Sequence, residues 1–272
     1  MKIIESIEEF RALKITASLG FVPTMGALHS AHLSLVNRSI KENDVTVVSI
    51  YVNPTQFNDA NDLKIYPKPI AEDIKLCEGA GVDYVFIPDS QSMYFDDEVL
   101  IETPKGLGEI LEGACRPGHF NGVLRVVLKL LNIVKPTKLY LGQKDAQQLA
   151  IITKMVNDFF LDVQVVPCEL IRHDDGLAMS SRNALLSADD RVKALALSKA
   201  LFAAVEMVDQ GLNDLNTIKK AMLAILSDVT SVEYVEILAR DLSDISEIEA
   251  NNSIILVAVV VGKTRLIDNV LI

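Results

Sequence analysis

Phe21-Val22-Pro23-Thr24-Met25-Gly26-Ala27-Leu28-His29-Ser30-Ala31-His32-Leu33-Ser34-Leu35 is the stretch of this 272-residue sequence on which the fold turns. Phe21-Val22 reads as a strand, Thr24, Met25 and Gly26 as a turn, and a helix is expected to open near Ala31. His29 and His32 stand three positions apart, which places both imidazoles on one helical face. A helix N-terminus offers free N–H groups and the positive end of the macrodipole, so two imidazoles there suit a polyphosphate whose charge builds in a transition state. Two other readings of the residues stand beside this one. One histidine caps the helix while the other packs in the core, or the two begin a zinc site, for which no third ligand lies nearby.

Outward from this segment, short β-branched runs alternate with helix-period segments. Strands are expected at Val45 to Val52, Tyr84 to Ile87, Leu139 to Leu141 and Val163 to Val166. Helices are expected at Ala31 to Lys41, Ala71 to Ala80, Gly122 to Val134 and Ala146 to Phe159. Such alternation predicts an α/β fold, a Rossmann-like parallel sheet with binding groups at the carboxyl ends of its strands. Beyond about residue 175 the pattern changes. Ser187 caps a long amphipathic helix ended by Gly211, a second helix covers Leu215 to Leu226, and Val232 to Leu238 and Ile254 to Val261 read as strands. The expected domains are therefore 1–175 and a smaller C-terminal α+β domain, 176–272, with the boundary at the Asp174-Asp175-Gly176 turn.

Composition narrows the function classes. Twenty-six Lys and Arg against 37 Asp and Glu give a net charge of −11, which argues against nucleic acid as a partner. Cys77, Cys115 and Cys168 are scattered and odd in number, so neither a disulfide framework nor a zinc ribbon is expected. The longest apolar run, Ile254 to Val261, is a buried strand rather than a membrane span, and Glu5, Glu8 and Glu9 interrupt any secretory leader; a cytoplasmic protein is expected. Gly262-Lys263-Thr264 is no phosphate-binding P-loop, because Val257 stands where the motif's first glycine belongs, and no Gly-x-Gly-x-x-Gly follows a strand.

Four further segments carry polar chemistry where a crevice is expected. In Leu141 to Leu149, Gly142 admits close backbone approach, Lys144 supplies a cation, Asp145 accepts from a ribose hydroxyl or caps the helix, and Gln148 lies one turn onward; a solvated helix cap is the plainer alternative. Met179-Ser180-Ser181-Arg182-Asn183 places hydroxyls beside an arginine, as a phosphate clamp or a simple loop. Asn53-Pro54-Thr55-Gln56-Phe57 and Arg116-Pro117-Gly118-His119-Phe120 add polar groups in loops.

Taken together, PTMGALH at Pro23, VNPTQF at Val52, EGACRPGHF at Glu112, GQKDAQQL at Gly142, DGLAMSSRN at Asp175 and TRLIDN at Thr264 resemble the pantoate–β-alanine ligase family of coenzyme A biosynthesis. The resemblance implies a nucleotidylyltransferase-like Rossmann domain with a His-x-Gly-His type motif, a C-terminal domain that closes over ATP, and a homodimer. It implies ATP as substrate, Mg²⁺ with no assigned ligands, no tightly bound organic cofactor, and pantoyl adenylate as intermediate before β-alanine displaces AMP. By that resemblance His29, His32, Lys144 and Arg182 are catalytic. Met25, Gly26, Ala27, Leu28, Gly142, Asp145, Ile171, Met179, Ser180 and Ser181 join them around ATP. Gln56 and Gln148 hold pantoate over Pro23, Met25, Phe57, Val123 and Val126, and Gln56 also meets β-alanine. Ala31, Gln143, Ala146, Asn121 and Lys68 depart from the residues usual in the family. Two other classes remain at this point: a nucleotidylyltransferase whose product keeps the nucleotide, and a silent nucleotide-binding subunit.

Overall fold

Strand residues point alternately to opposite faces, and in the first part of the chain both faces are apolar. Phe21, Val47, Leu139 and Leu141 enter one buried cluster, while their neighbours Val22, Val48 and Tyr140 enter another. Only a sheet covered on both sides accommodates that pattern. In the computed structural model, which describes residues 1–272 except the side chain of Asp62, this is what forms. The chain runs β1 (Lys2–Ile4), α1 (Ile7–Ala12), β2 (Leu19–Thr24), α2 (Ser30–Glu42), β3 (Val45–Ile50), α3 (Ala60–Ile65), α4 (Ile70–Ala80) and β4 (Tyr84–Phe86). It continues through α5 (Ser90–Met93), α6 (Lys105–Gly108), α7 (Leu111–Cys115), α8 (His119–Val134), β5 (Lys138–Gly142), α9 (Ala146–Asp158) and β6 (Gln164–Cys168).

The sheet order is β1-β4-β3-β2-β5-β6, and every pairing is parallel. From β2 the chain moves outward through β3 and β4, then returns to lay β5 on the other side of β2. The order thus reverses between β2 and β5, and a crevice opens outside their carboxyl ends. Those ends carry Thr24 and Gly142. Leu35 and Val36 of α2 and Cys77 of α4 pack in the cluster on one face; Val123, Leu124, Val127 and Leu130 of α8 and Ile151, Ile152 and Met155 of α9 pack in the cluster on the other.

The expected parallel sheet is present; Thr24, expected in the turn, is the last residue of β2, β3 ends at Ile50 rather than Val52, the short helices α3, α5, α6 and α7 lie outside the expected elements, and three further differences bear on the layout. β1 and α1 precede the first expected strand; β1 is a three-residue edge strand, too short for a periodic signal. Helix α8 opens at His119 rather than Gly122, following Gly118 in the left-handed region at φ +80°. The third difference is the division of the chain. One compact unit comprises 1–143 and 147–169, and the other comprises 144–146 and 170–272. The division falls at Glu169/Leu170 and not at the 174–176 turn, because Arg172 pairs with Asp268 and bridges in antiparallel fashion to Ala178.

In the second unit, α10 (Ala188–Asp209) and α11 (Leu215–Ile225) accompany an antiparallel sheet of β7 (Ser231–Ala239), β8 (Ser253–Val261) and β9 (Thr264–Leu271). Ser187 caps α10 as expected, its hydroxyl accepting from Asp190 N at 3.1 Å. Leu197, Leu201, Ile218, Met222, Ile237, Ile255 and Val257 make a core separate from that of the first unit. Gly262-Lys263 is a two-residue hairpin connection, with Gly262 at φ +60° and Val261 paired to Thr264. The strand it introduces, β9, lacks a clean apolar pattern because Asp268 and Asn269 are buried within it. Among the described residues no helix is long and apolar enough to cross a membrane.

At the opposite end of the first sheet, polar groups close the junction of α2 and β5. The Tyr140 hydroxyl, on a fully buried ring, donates to Glu42 Oε2 at 2.9 Å and accepts from Asn43 Nδ2 at 2.7 Å. Burial pushes that phenol up to about 12. Hydrogen bonds from Arg38, Tyr140 and Lys138 lower Glu42 to about 2. A carboxylate depressed in the folded state stabilises fully above its unfolded value, near 4.5, and loses that contribution as pH falls through the folded value. The difference in Tm between the parent and Glu42→Gln should therefore be complete above pH 4.5 and close toward pH 2. A difference constant across that window in thermal melts would remove Glu42 from the acid response.

Candidate active site

The turn after β2 is held by a carboxylate far away in sequence. Gly26 at φ +80° and Ala27 at φ +51° are both left-handed, which turns successive backbone amides the same way. Asp73 on α4, 1% exposed, accepts from Ala27 N at 2.9 Å and Leu28 N at 2.7 Å. Thr24 Oγ1 fixes the other side, accepting from Gly26 N at 3.2 Å and donating to Ser49 O at 2.7 Å. A Cβ on residue 26 would lie 2.9 Å from Asp73 Oδ2, so glycine serves both the conformation and the close approach.

His29 does not share a helical face with His32, as the spacing suggests, but is the N-cap of α2, in extended backbone; His32 occupies the third helical position. The imidazoles nevertheless meet, their centroids 4.1 Å apart. His32 Nδ1 accepts from His29 N at 3.3 Å. A neutral His32 with its Nδ1 accepting in this way carries its proton on Nε2, which makes that nitrogen a donor.

The loop after β3 is built around Asn53, which is 1% exposed. Its Oδ1 accepts from the Tyr94 hydroxyl at 2.6 Å and Thr55 Oγ1 at 2.9 Å; its Nδ2 donates to Gln56 Oε1 at 2.9 Å and Gly122 O at 3.1 Å. With its oxygen engaged, Gln56 directs Nε2 to within 3.1 Å of Met25 Sδ. The Gln56 carbonyl accepts from His119 Nδ1 at 2.7 Å and from Arg116 Nη2 at 3.4 Å, while Arg116 Nη1 lies 3.1 Å from His119 Nε2. Pro23 and Phe57 are half-buried, Phe57 edge-on to Tyr66 at 5.7 Å. Val123 and Val126 are buried on α8.

After β5, a Cβ on Gly142 would meet nothing within 4 Å. Of the adjacent glutamines, Gln147 is a structural clamp: it is 2% exposed, accepts from Glu112 N and donates to Leu107 O and Ile110 O, all at 2.8–2.9 Å. Gln148 is half-buried.

In the second unit, Lys144, Ser180, Arg182, Asn183, Arg265 and Asp268 line one recess together with Leu177, Ala178, Leu197, Leu266 and Ile267. Lys144 Nζ lies 3.6 Å from Asp145 Oδ1, and Asp145 itself is exposed. Ser180 caps the helical turn Ser181–Leu185, its Oγ accepting from Arg182 N at 3.3 Å. Ile171 O accepts from Met179 N at 3.0 Å, so residues 171–179 close on themselves around Gly176 at φ +91°. Arg172 grips Asp268 with two hydrogen bonds, at 2.6 and 3.0 Å. Burial pushes the Asp268 carboxyl upward, and the Arg172 pair opposes it. Arg265 pairs with Glu233 at 2.6 Å.

The structure thus joins His29 to His32 and Met25 to Gln56 in the first unit, and gathers Lys144, Ser180 and Arg182 in the second. Sequence reasoning named Asn53 only as part of a polar loop, and missed Asp73, Gln147 and the Asp268–Arg172 pair. Their partners are mostly backbone groups or distant side chains, for which no local pattern exists.

Comparison with known proteins gives one consistent result. Residues 2–271 match the family model described as pantoate-beta-alanine ligase. A pantothenate synthetase of Campylobacter curvus is 52% identical over 270 residues, covering 99% of this chain and 98% of the relative. The crystal structure of pantothenate synthetase from Thermus thermophilus superposes with a TM-score of 0.95 at 38% identity, with 99% of each chain covered. The pantoate-beta-alanine ligase of Francisella tularensis, crystallised with Beta-gamma ATP and beta-alanine, superposes with a TM-score of 0.81 at 38% identity, covering 100% of this chain and 97% of its own.

Two substitutions test the scaffold. Asp73→Asn places an amide where two backbone N–H groups need an acceptor, and should cost about 1.5–3 kcal/mol in denaturant unfolding. An unchanged midpoint would show that the turn holds itself. At Gly122 a Cβ would stand 2.3 Å from Thr55 O and 2.7 Å from Gln56 N, both backbone atoms. Gly122→Ala should therefore destabilise by about 1–3 kcal/mol, despite alanine's advantage of about 1 kcal/mol in a helix. A stabilised variant would contradict that close approach.

Proposed function

Since the chain belongs to the pantoate–β-alanine ligase family, we propose that it condenses (R)-pantoate with β-alanine, consuming ATP and giving pantothenate, AMP and pyrophosphate. It is a carbon–nitrogen ligase. In the first step a pantoate carboxylate oxygen attacks the α-phosphorus; the bond to the bridging oxygen breaks and pyrophosphate leaves. In the second, the β-alanine amine attacks the acyl carbon of pantoyl adenylate, loses a proton, and AMP departs with the carboxyl oxygen.

The observation that carries this reading is the histidine pair at the opening of α2, with His32 Nδ1 accepting from backbone and its proton therefore on Nε2. The attack brings two anions together, so groups that offset developing negative charge supply most of the rate. His29 and His32 donate to the phosphates, and Lys144 offsets charge on the α-phosphoryl group. Ser180, Ser181 and Arg182 hold the departing pyrophosphate. Backbone at Met25, Gly26, Ala27 and Leu28, with Gly142, Asp145, Ile171 and Met179, receives the nucleotide. Gln56 and Gln148 bond pantoate, whose methyl groups rest on Pro23, Met25, Phe57, Val123 and Val126, and Gln56 also meets β-alanine. An uncharged amide suits this task because it donates to the carboxylate and accepts from the hydroxyls.

Mg²⁺ accompanies the nucleotide. Among the described residues no three His, Cys, Asp or Glu side chains are grouped to hold a metal, and Mg²⁺ in nucleotide sites commonly rests on phosphates, waters and one or two carboxylates. The proposal extends to a first domain that binds nucleotide and pantoate, a second that closes as a lid, and a cytoplasmic homodimer with a solution mass near twice 29.9 kDa. It includes no nucleic-acid or membrane partner.

Pyrophosphate exchange tests the chemistry before β-alanine is added. Exchange from ATP should require pantoate, and His32→Ala or Lys144→Ala should lower its rate by about 10²-fold or more, the loss typical of one transition-state donor. Exchange without pantoate would point to another acceptor, and ATP binding without exchange to a silent subunit. Near-normal exchange in either variant would remove that residue from the step.

A further inference from the structure

A buried acidic-amide dipeptide in the C-terminal strand has no part in the ligation described above. β9 is an edge strand, yet Asp268 and Asn269 are 2% and 5% exposed. Burying two adjacent polar side chains is costly unless each is satisfied by a specific partner. Asp268 lines the recess that holds Lys144, Ser180 and Arg182, where a bare carboxylate would repel phosphate. Arg172 answers it with two hydrogen bonds, donates further to Asn269 O at 3.3 Å and to Gly176 O at 3.1 Å, and lies over the Phe202 ring at 5.1 Å. Asp268 Oδ1 also accepts from Asn269 N at 2.8 Å. The end of β9 is thereby fixed, and from it Asn269 Nδ2 donates to the carbonyl of Lys144 at 2.9 Å.

A second observation points the same way. Residues 144–146 gather with the second unit although Gln143 and Gln147, on either side, belong to the first. The backbone of the lysine is held by the C-terminal strand rather than only by its own neighbours.

We propose that Asn269, backed by the Asp268–Arg172 pair, is a positioning residue that fixes Lys144 for the adenylation step. This rests on the role of Lys144 proposed above. The lysine stem is long and flexible, so the place of its backbone decides where the ammonium is found. A displacement on the order of 1 Å at a reacting centre can cost about 10²-fold.

The test is a double-mutant cycle on pantoate-dependent pyrophosphate exchange, repeated on the Kd for ATP so that a very slow background still gives a reading. Asn269→Ala should lower kcat for exchange by about tenfold or more per folded enzyme, within the range a misplaced group costs. Asn269→Asp keeps the volume, loses the donor and should do the same if the alanine variant folds poorly. In a Lys144→Ala background either change should cost less than about twofold, because the group it positions is gone. Equal losses in both backgrounds, or a fall in Tm with unchanged kcat, would overturn the positioning role and leave the role of Lys144 intact. Full exchange in Lys144→Ala alone would withdraw the lysine's role, and the positioning role with it.

Discussion

β2 is hydrogen-bonded in parallel to β3 on one side and to β5 on the other, and the site depends on that central position. Because the chain leaves β2 in one direction and comes back to its other flank through β5, the loops that follow these two strands diverge. One carries Thr24 through His32, and the other carries Gly142 and the glutamines. Were β5 added beyond β4 instead, the two polar segments would stand at separate places along the sheet edge. The apolar alternation of Phe21 with Val22 and Leu139 with Tyr140 therefore also decides which two polar loops stand side by side.

On that frame, buried polar side chains shape the loops by taking up backbone groups. Asp73 receives two amides of the histidine turn. Asn53 joins Thr55, Tyr94, Gln56 and Gly122. Gln147 binds three main-chain groups around Glu112, and in the second unit Arg172 and Asp268 do the same for the 172–178 turn and the end of β9. Each group would be costly alone in a medium of low polarity. Satisfied by particular backbone or side-chain partners, each selects one loop conformation over its competitors.

Charge is arranged locally in the same way. The chain bears a net −11 yet binds polyanionic substrates in the function proposed here. In the second unit Arg172 answers Asp268 and Arg265 answers Glu233, while Lys144 lies beside Asp145; Arg182 and Ser180 line the same recess. Screening confines net repulsion to about a Debye length, roughly 8–10 Å in ordinary salt, so local sign matters more than the total.

How much of this was legible beforehand depends on the distance over which the information is written. Periodicity is local, and it located the strands of the parallel sheet from β2 to β6, the long α10, and β7 and β8 to within a few residues; the ordered motifs from Pro23 to Asn269 pointed to the ligase family. It passed over β1 for want of length, and β9 because Asp268 and Asn269 break the apolar pattern. It put His29 on a helical face, whereas His29 caps the helix from outside. The clamps were invisible because each joins residues with no sequence relation: Asp73 to Ala27 across 46 positions, Arg172 to Asp268 across 96, Asn269 to Lys144 across 125. Sequence alone determined the family and which faces are apolar. Tertiary structure decided which backbone each polar side chain holds, since a hydrogen bond between remote segments exists only once the fold has brought them together.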